Sequence, residues 1–467
     1  MEKITAAKEL KEKLFLKRKN GLSVVSDEVK AEIMDFAEGY KTYLDSSKTE
    51  REAVKTSIEL AKKCGFKEYN RKEKYNPGDR LYINNKEKSA IFFVMGTKPL
   101  EEGITLSAAH VDSPRLDLKP NPLYEDTHLA LFKTRYYGGV RKYQWTAVPL
   151  ALHGVFAKKD GSVVEVKIGD EENDPVFVVN DLLPHLSGEQ NKRTLSEGIK
   201  GEELNVLVGS MPFKDDSESE LVKLNILNIL FEKYGVTEED FVSAELEAVP
   251  AFGARDIGFD RSMIGAYAHD DKVCAYPALM ALFELTTPEK TAMCILADKE
   301  EIGSDGNTGL NSDMFVHVMD DLCKASGEAL SVSLRNSFCL SADVNAAVDP
   351  TFKDVTESNN AAYLNYGVTI TKYTGGRGKG GTSDASAEYV GKIRKILDDA
   401  EVVWQTGELG KVDGGGGGTV AKYIASHGLE VVDLGVPVLS MHAPYETVSK
   451  LDVYMAYKAF LAFHKNA

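Results

Sequence analysis

Five short segments, far apart in the chain, pair imidazole and carboxylate side chains in ways that suit a divalent metal: His110-Val111-Asp112, His269-Asp270-Asp271-Lys272, Asp298-Lys299-Glu300-Glu301, Ser341-Ala342-Asp343 and Met441-His442. In the first, His110 can bind a metal through one ring nitrogen while Asp112 takes the proton on the other, which fixes the tautomer and raises ligand basicity. In the third, neighbouring residues on extended backbone point opposite ways, so one carboxylate can ligate while the other accepts a proton from an activated water. Each segment alone has an ordinary reading: a surface turn for His110, a solvated charge run for Glu300 and Glu301, a helix cap for Asp270. Together they supply nitrogen and oxygen donors without any thiolate, a mixture suited to zinc, cobalt or manganese and unlike a structural cysteine-bound zinc knot.

The elements expected to carry these residues are short apolar strands. Ser89 to Met95, Ile104 to Ala109, Ala292 to Ala297, Phe338 to Ala342 and Val431 to Leu439 are nearly continuous apolar runs, as in strands covered on both faces. They alternate with helical patterns at Asp271 to Leu285 and Val390 to Leu397, which predicts an α/β sheet. Four of the five segments follow directly on such a strand, and in open α/β sheets ligands gather at the carboxyl ends of the strands. From residue 3 to about 64 the spacing is helical, with a Ser47-x-x-Glu50 capping box ahead of a helix whose Val54, Ile58 and Ala61 share a face.

Between Asn121 and Phe259 the texture changes to β-like runs, at Ser162 to Ile168, Pro175 to Val179 and Leu204 to Val208. An acidic run from Asp215 to Glu220 then precedes an amphipathic helix near Leu221 to Tyr234. The expected organisation is a catalytic domain in two parts, 1–119 and 259–467, interrupted by a β-rich insertion at 120–258. No repeat is present, and the one low-complexity tract is Gly414 to Gly418.

At 467 residues the chain exceeds a single ordinary hydrophobic core. Its 56 Lys and Arg against 72 Asp and Glu give a formal charge of −16, which argues against nucleic acid or an anionic membrane as partner. Residues Met1 to Arg18 mix charged and apolar residues and lack the apolar core of a secretory signal, and no run has the length of a membrane span. The five cysteines are scattered without CxxC spacing, as reduced thiols would be. A cytoplasmic protein is expected.

The order His-x-Asp, Asp-Asp, Glu-Glu-Ile-Gly-Ser, Ser-Ala-Asp, Met-His, in the segments SAAHVDSPRLDLKP, HDDKVCAYPAL, KEEIGSDG, SADVNAAVDP and LGVPVLSMHAPYE, resembles the aspartyl aminopeptidase family of co-catalytic di-zinc exopeptidases. The resemblance covers nearly the whole chain. It implies a mixed-sheet zinc exopeptidase domain with an inserted β-rich dimerisation domain, peptide substrates with a free N-terminus, and homo-oligomers built from dimers into dodecamers. It also implies two divalent ions, with His110 and Asp343 on one, Glu301 and His442 on the other, and Asp270 bridging both. Glu300 becomes the general base, Asp112 the orienter of His110, and His185, in Asp181-Leu182-Leu183-Pro184-His185, a residue that reaches a neighbouring subunit's site.

The chain departs from the family's eukaryotic members after the metal aspartate, where Asn345, Ala346 and Asp349 replace histidines, and in the GGRGKGGTS loop from Gly375 to Ser383. Lys372, Arg377 and Lys379 could pair with an acidic substrate side chain there. Gly414 to Gly418 could allow backbone to approach a substrate closely. Three rival readings are a carboxypeptidase or deacylase of the same metal chemistry, a phosphate-binding protein, and a self-assembling scaffold with structural metal. Gly375 and Gly380 have the P-loop interval, but Gly381 stands where its lysine belongs. A retained Glu300 argues against the scaffold, because that residue is not needed as a ligand.

Overall fold

The computed structural model describes residues 6–214 and 218–467. Met1 to Thr5 of the helical lead-in and Asp215 to Ser217 of the expected acidic run lie outside the described residues.

A nine-stranded mixed sheet forms the centre, in the order Lys67–Glu68, Arg80–Asn85, Ser89–Val94, Ala292–Ala297, Thr105–His110, Phe338–Ser341, Glu430–Gly435, Val368–Thr371 and Trp404–Thr406. Its middle four strands run parallel. Every residue of Ser89–Val94, Thr105–His110 and Ala292–Ala297 is buried, the signature of strands sandwiched between helical layers. Side chains alternate between two cores: Phe92, Cys294 and Leu296 face helices Asp27–Asp45, His269–Glu284 and Lys450–Asn466, whereas Phe93, Met293 and Ile295 face Met314–Ser326 and Ala421–Ala425. Phe92 and Phe93 are fully buried on opposite faces, worth roughly 1.5–3 kcal/mol each, so a slip of one residue would misplace both. That pinning fixes the register in which His110 lies opposite Ala297, and Ser341 opposite Asp433.

Two smaller sheets flank it. Seven antiparallel strands lie in the order Val163–Ile168, Leu150–Ala157, Ala244–Pro250, Arg115–Asp126, Leu129–Tyr137, Asn205–Gly209 and Val178–Val179. This β-rich segment begins at Arg115 and has its own core around Trp145, Phe132, Phe156 and Phe241, closed by helix Leu221–Tyr234. A five-stranded sheet, not anticipated from sequence, joins Arg255–Ile257, Met263–Ala266, Glu446–Ser449, Pro437–Leu439 and Asn345–Ala346.

Three local expectations need correction. The capping box is formed by Thr49 and Glu52, two residues later than expected, while Glu50 is buried against Arg115 and Lys88. Val54, Ile58 and Ala61 still share the buried face of helix Glu50–Lys63. The run from Val431 to Leu439 is two strands in different sheets: a Cβ at Gly435 would lie 1.7 Å from the Asp343 carbonyl oxygen, so the chain turns at a position only glycine can occupy. Helix His269–Glu284 has non-helical backbone at Asp270 and Asp271, so Asp270 is not a simple cap. Among the described residues no helix is long and apolar enough to cross a membrane.

Candidate metal centre

The parallel strands deliver His110 at the end of Thr105–His110, Glu300 and Glu301 just past Ala292–Ala297, and Asp343 two residues beyond Phe338–Ser341. The five-stranded sheet supplies the rest, with Asp270 after Met263–Ala266 and His442 in the turn between Pro437–Leu439 and Glu446–Ser449, at φ +65°. The Asp270–Asp271 peptide is cis.

Two triads that could each hold a metal ion result, His110 with Asp270 and Asp343, and Asp270 with Glu301 and His442. His110 Nε2 is 3.2 Å from Asp270 Oδ1 and 3.9 Å from Asp343 Oδ1. His442 Nε2 is 3.2 Å from Asp270 Oδ2 and 3.7 Å from Glu301 Oε1. Asp270 therefore presents one oxygen to each triad. Glu300 Oε2 stands 4.0 Å from His110 Nε2, beside the first triad and outside both.

Whether these residues suit cations can be judged from their unpaired atoms. His110 Nε2, Asp270 Oδ1 and Glu301 Oε1 are buried and form no hydrogen bond, although His110 Nε2 lies 3.2 Å from Asp270 Oδ1. Both imidazoles have their remaining nitrogen occupied: His110 Nδ1 donates to the main-chain oxygen of Asp112 at 3.0 Å, with Asp112 Oδ1 at 3.3 Å, and His442 Nδ1 donates to the Gly139 carbonyl at 3.0 Å. Each Nε2 lone pair is thus free to ligate. Burial raises the pKa of Glu301 and Asp343, and neighbouring carboxylates raise them further. Glu300 is also raised, by burial first, with His110 opposing. Burial alone would lower both histidines, but Asp112 and Asp270 outweigh it at His110, and Asp270 and Glu301 push His442 up to about 10. Carboxylates crowded in this way keep their charge only beside a cation, and the all-nitrogen-and-oxygen donor set suits zinc.

The structure gives further roles to residues of the quoted segments. Asp112 does more than orient His110: its Oδ1 accepts the N–H of Glu300 at 3.1 Å, and its Oδ2 accepts the N–H of Glu301 at 3.2 Å. Glu446 is its counterpart, taking the N–H of His442 at 2.7 Å and of Asp270 at 3.1 Å. Buried Lys272 donates to Ser113 Oγ, which donates to the Asp270 carbonyl. Glu446 closes the LGVPVLSMHAPYE segment, but its place four residues after His442 shows no role until a turn folds it back.

The centre opens into a cavity of about 850 Å³ lined by Gly375, Arg377, Lys379, Lys411, Gly415 to Gly418 and Lys422 as well as Asp270, Glu301, Asp343 and His442. The two glycine-rich loops pack together, Gly375 N donating to Gly417 O, and a Cβ at Gly416 would lie 2.2 Å from Gly375 O. Lys379 pairs with Asp384 at 2.9 Å, and Lys372 does not line the cavity. Asp433, also unforeseen, lines it with its oxygen held by Thr419 and its pKa pushed up to about 7 by burial. His185 is not brought to this cavity by its own chain; it lies exposed in the loop between Val178–Val179 and Asn205–Gly209.

Residues 43–464 match the family model described as aminopeptidase I zinc metalloprotease (M18). The chain is 48% identical to a probable M18 family aminopeptidase 1 of Clostridium acetobutylicum over 461 residues, spanning 97% of this chain and 99% of that one. The crystal structure of an M18 family aminopeptidase from Thermotoga maritima superposes with a TM-score of 0.93 at 45% identity, covering 97% of this chain and all of that one. The S. cerevisiae mApe1 dodecamer shares the fold at 21% identity, with a TM-score of 0.75 over 92% of this chain and 96% of that one. A match over nearly the entire chain leaves one assignment: the chain belongs to the M18 family of aminopeptidase I zinc metalloproteases.

Proposed function

We propose that this M18 family aminopeptidase removes N-terminal residues at a paired-cation centre, with His110, Asp270 and Asp343 holding one ion, Asp270, Glu301 and His442 the other, and Glu300 as general base. The observation that carries the reading is Asp270, whose two oxygens face two different histidines at the same 3.2 Å. Zinc is the ion the family implies, with cobalt or manganese compatible with the same donors. When bound, such a pair polarises the scissile carbonyl and lowers the pKa of water towards about 7.

The chain's own residues do the remainder. Glu300 takes the proton of the attacking water and passes it to the departing amine, a role that suits a carboxylate standing beside the first triad and outside both. Asp112 and Gly139 keep the two imidazoles turned so that Nε2 faces inward. Arg377 and Lys411 line the cavity without a carboxylate within ion-pair distance among the described residues, which supports an acidic first residue in the substrate. A cleavage profile across aminoacyl substrates, repeated with zinc, cobalt and manganese and on N-acetylated peptides, tests this reading; equal cleavage of blocked N-termini would move the assignment to a deacylase or carboxypeptidase.

The insertion at 120–258 is read as the dimerisation domain. Helix Leu221–Tyr234 buries Val222 and Leu230 yet leaves Leu224, Ile229 and Phe231 exposed, beside exposed Met211 and Phe213, a run of apolar surface suited to a second copy. A dodecamer, as in the yeast relative, and a role for exposed His185 in a neighbouring subunit's site extend this reading. Five free cysteines fit a cytoplasmic location. Light scattering on the purified chain and a His185→Ala variant test the assembly; a fully active monomer would remove it.

A further inference from the structure

Three consecutive residues at the end of the Leu129–Tyr137 strand each touch a different part of the metal centre. The Tyr137 hydroxyl donates to Asp112 Oδ2 at 2.9 Å, on the carboxylate that accepts the backbone N–H groups of Glu300 and Glu301 and lies 3.3 Å from His110 Nδ1. The Tyr137 ring is itself held. Its cross-strand neighbour Arg115 stacks over it, the guanidinium carbon 3.9 Å from the ring centre, and Arg115 is anchored by Glu50, Asp117 and Glu247. Gly138, at φ +74°, lies against Glu301: a Cβ there would sit 3.0 Å from Glu301 Oε2 and 3.2 Å from its Cβ. Gly139 accepts the Nδ1–H of His442, and a Cβ on Gly139 would lie 3.0 Å from that nitrogen.

We propose that Tyr137-Gly138-Gly139 is a positioning clamp through which the seven-stranded sheet sets both ligand triads of its own chain. Tyr137 acts through Asp112 on His110 and on the Glu300-Glu301 backbone. Gly138 leaves the space Glu301 occupies, and Gly139 turns the His442 ring. The inserted sheet is then part of the catalytic centre in cis as well as a surface for assembly. The inference rests on the two-cation reading above, because it concerns how those ligands are held.

Partners that orient metal ligands typically change metal affinity or activity by about 10-fold to 100-fold when removed. Tyr137→Phe keeps the ring against Arg115 and deletes only the hydroxyl. The purified full-length variant should release zinc at roughly ten-fold lower chelator concentration and lose kcat by on the order of ten-fold or more, with KM little changed. Gly138→Ala should lose the ion of the Glu301 and His442 triad and keep the other. Tyr136→Phe, whose exposed ring lies beneath Lys142, should match wild type in both readouts. Circular dichroism and Tm establish folding, and if Gly138→Ala fails to fold then Tyr137→Phe decides. Wild-type protein that retains no zinc would overturn the two-cation reading and the clamp with it. Wild-type zinc binding with unchanged zinc release and kcat in Tyr137→Phe would overturn the clamp alone.

Discussion

Replacing Glu300 with Gln separates proton transfer from metal binding within a single dipeptide. Glu301 is the more deeply placed of the two, its side chain 4% exposed and its Oε1 3.7 Å from His442 Nε2; Glu300 is 17% exposed and 4.0 Å from His110 Nε2, outside both triads. The amide keeps the size of the carboxylate, and the Glu300 backbone N–H still donates to Asp112, so neither triad loses a ligand or its scaffold. What disappears is the basic oxygen. General bases contribute about 10²- to 10⁴-fold, and at about 1.4 kcal/mol per decade this is a barrier rise of roughly 3 to 5 kcal/mol. Steady-state kinetics should therefore show kcat lower by two to four orders of magnitude, while elemental analysis finds zinc as in wild type. Glu301→Gln should do the reverse, with zinc lost from one triad before turnover is interpretable. Near-normal kcat in Glu300→Gln would remove it as the base, and zinc loss in that variant would exchange the two roles.

Glu446→Gln should turn one amide N–H towards a backbone donor of Asp270 or His442, leaving a buried donor unsatisfied at about 1–3 kcal/mol, read as a lower denaturant midpoint together with weaker zinc retention. Gly435→Ala places a Cβ 1.7 Å from the Asp343 carbonyl oxygen, so the first triad should be displaced and zinc content should drop or the chain fail to fold; wild-type zinc content would contradict the close approach. Buried His464, packed beside Thr105, has its pKa lowered to about 3 by burial against an ordinary value of 6.5. Because the unfolded chain takes up that proton first as the pH falls, the contribution is complete above about 6.5 and is lost progressively down to about 3. Urea midpoints between pH 7 and 4 should fall less steeply in His464→Gln than in wild type.

The residues proposed as ligands stand out in the sequence because most of them follow directly on an apolar run, and the structure brings His110, Asp270, Asp343, Glu301 and His442 together. Thr105–His110, Ala292–Ala297 and Phe338–Ser341 are apolar runs short enough to be buried strands, and the polar residues that end them stand out. Alternating helical and strand patterns gave the α/β class, and the resemblance of the five segments gave the family before any geometry was known. The helix Leu221–Tyr234 has the expected bounds but is not amphipathic: Val222 and Leu230 are buried while Leu224, Ile229 and Phe231 face outward.

Tertiary structure alone decided how those residues are held. The break of Val431 to Leu439 into two strands follows from Gly435 lying against Asp343, a contact between residues nearly a hundred positions apart that no local propensity encodes. The shift of the capping box to Thr49 and Glu52 follows from burial of Glu50 between Arg115 and Lys88. Glu446 beneath Asp270 and His442, and Tyr137 on Asp112, are single polar residues whose contacts no local pattern encodes. A ligand must be a particular residue type at a strand end, and this leaves a mark in the sequence. Its support needs only a donor or acceptor at the right point in space, which any element of the fold can bring there, so it becomes visible only when the chain has closed around it.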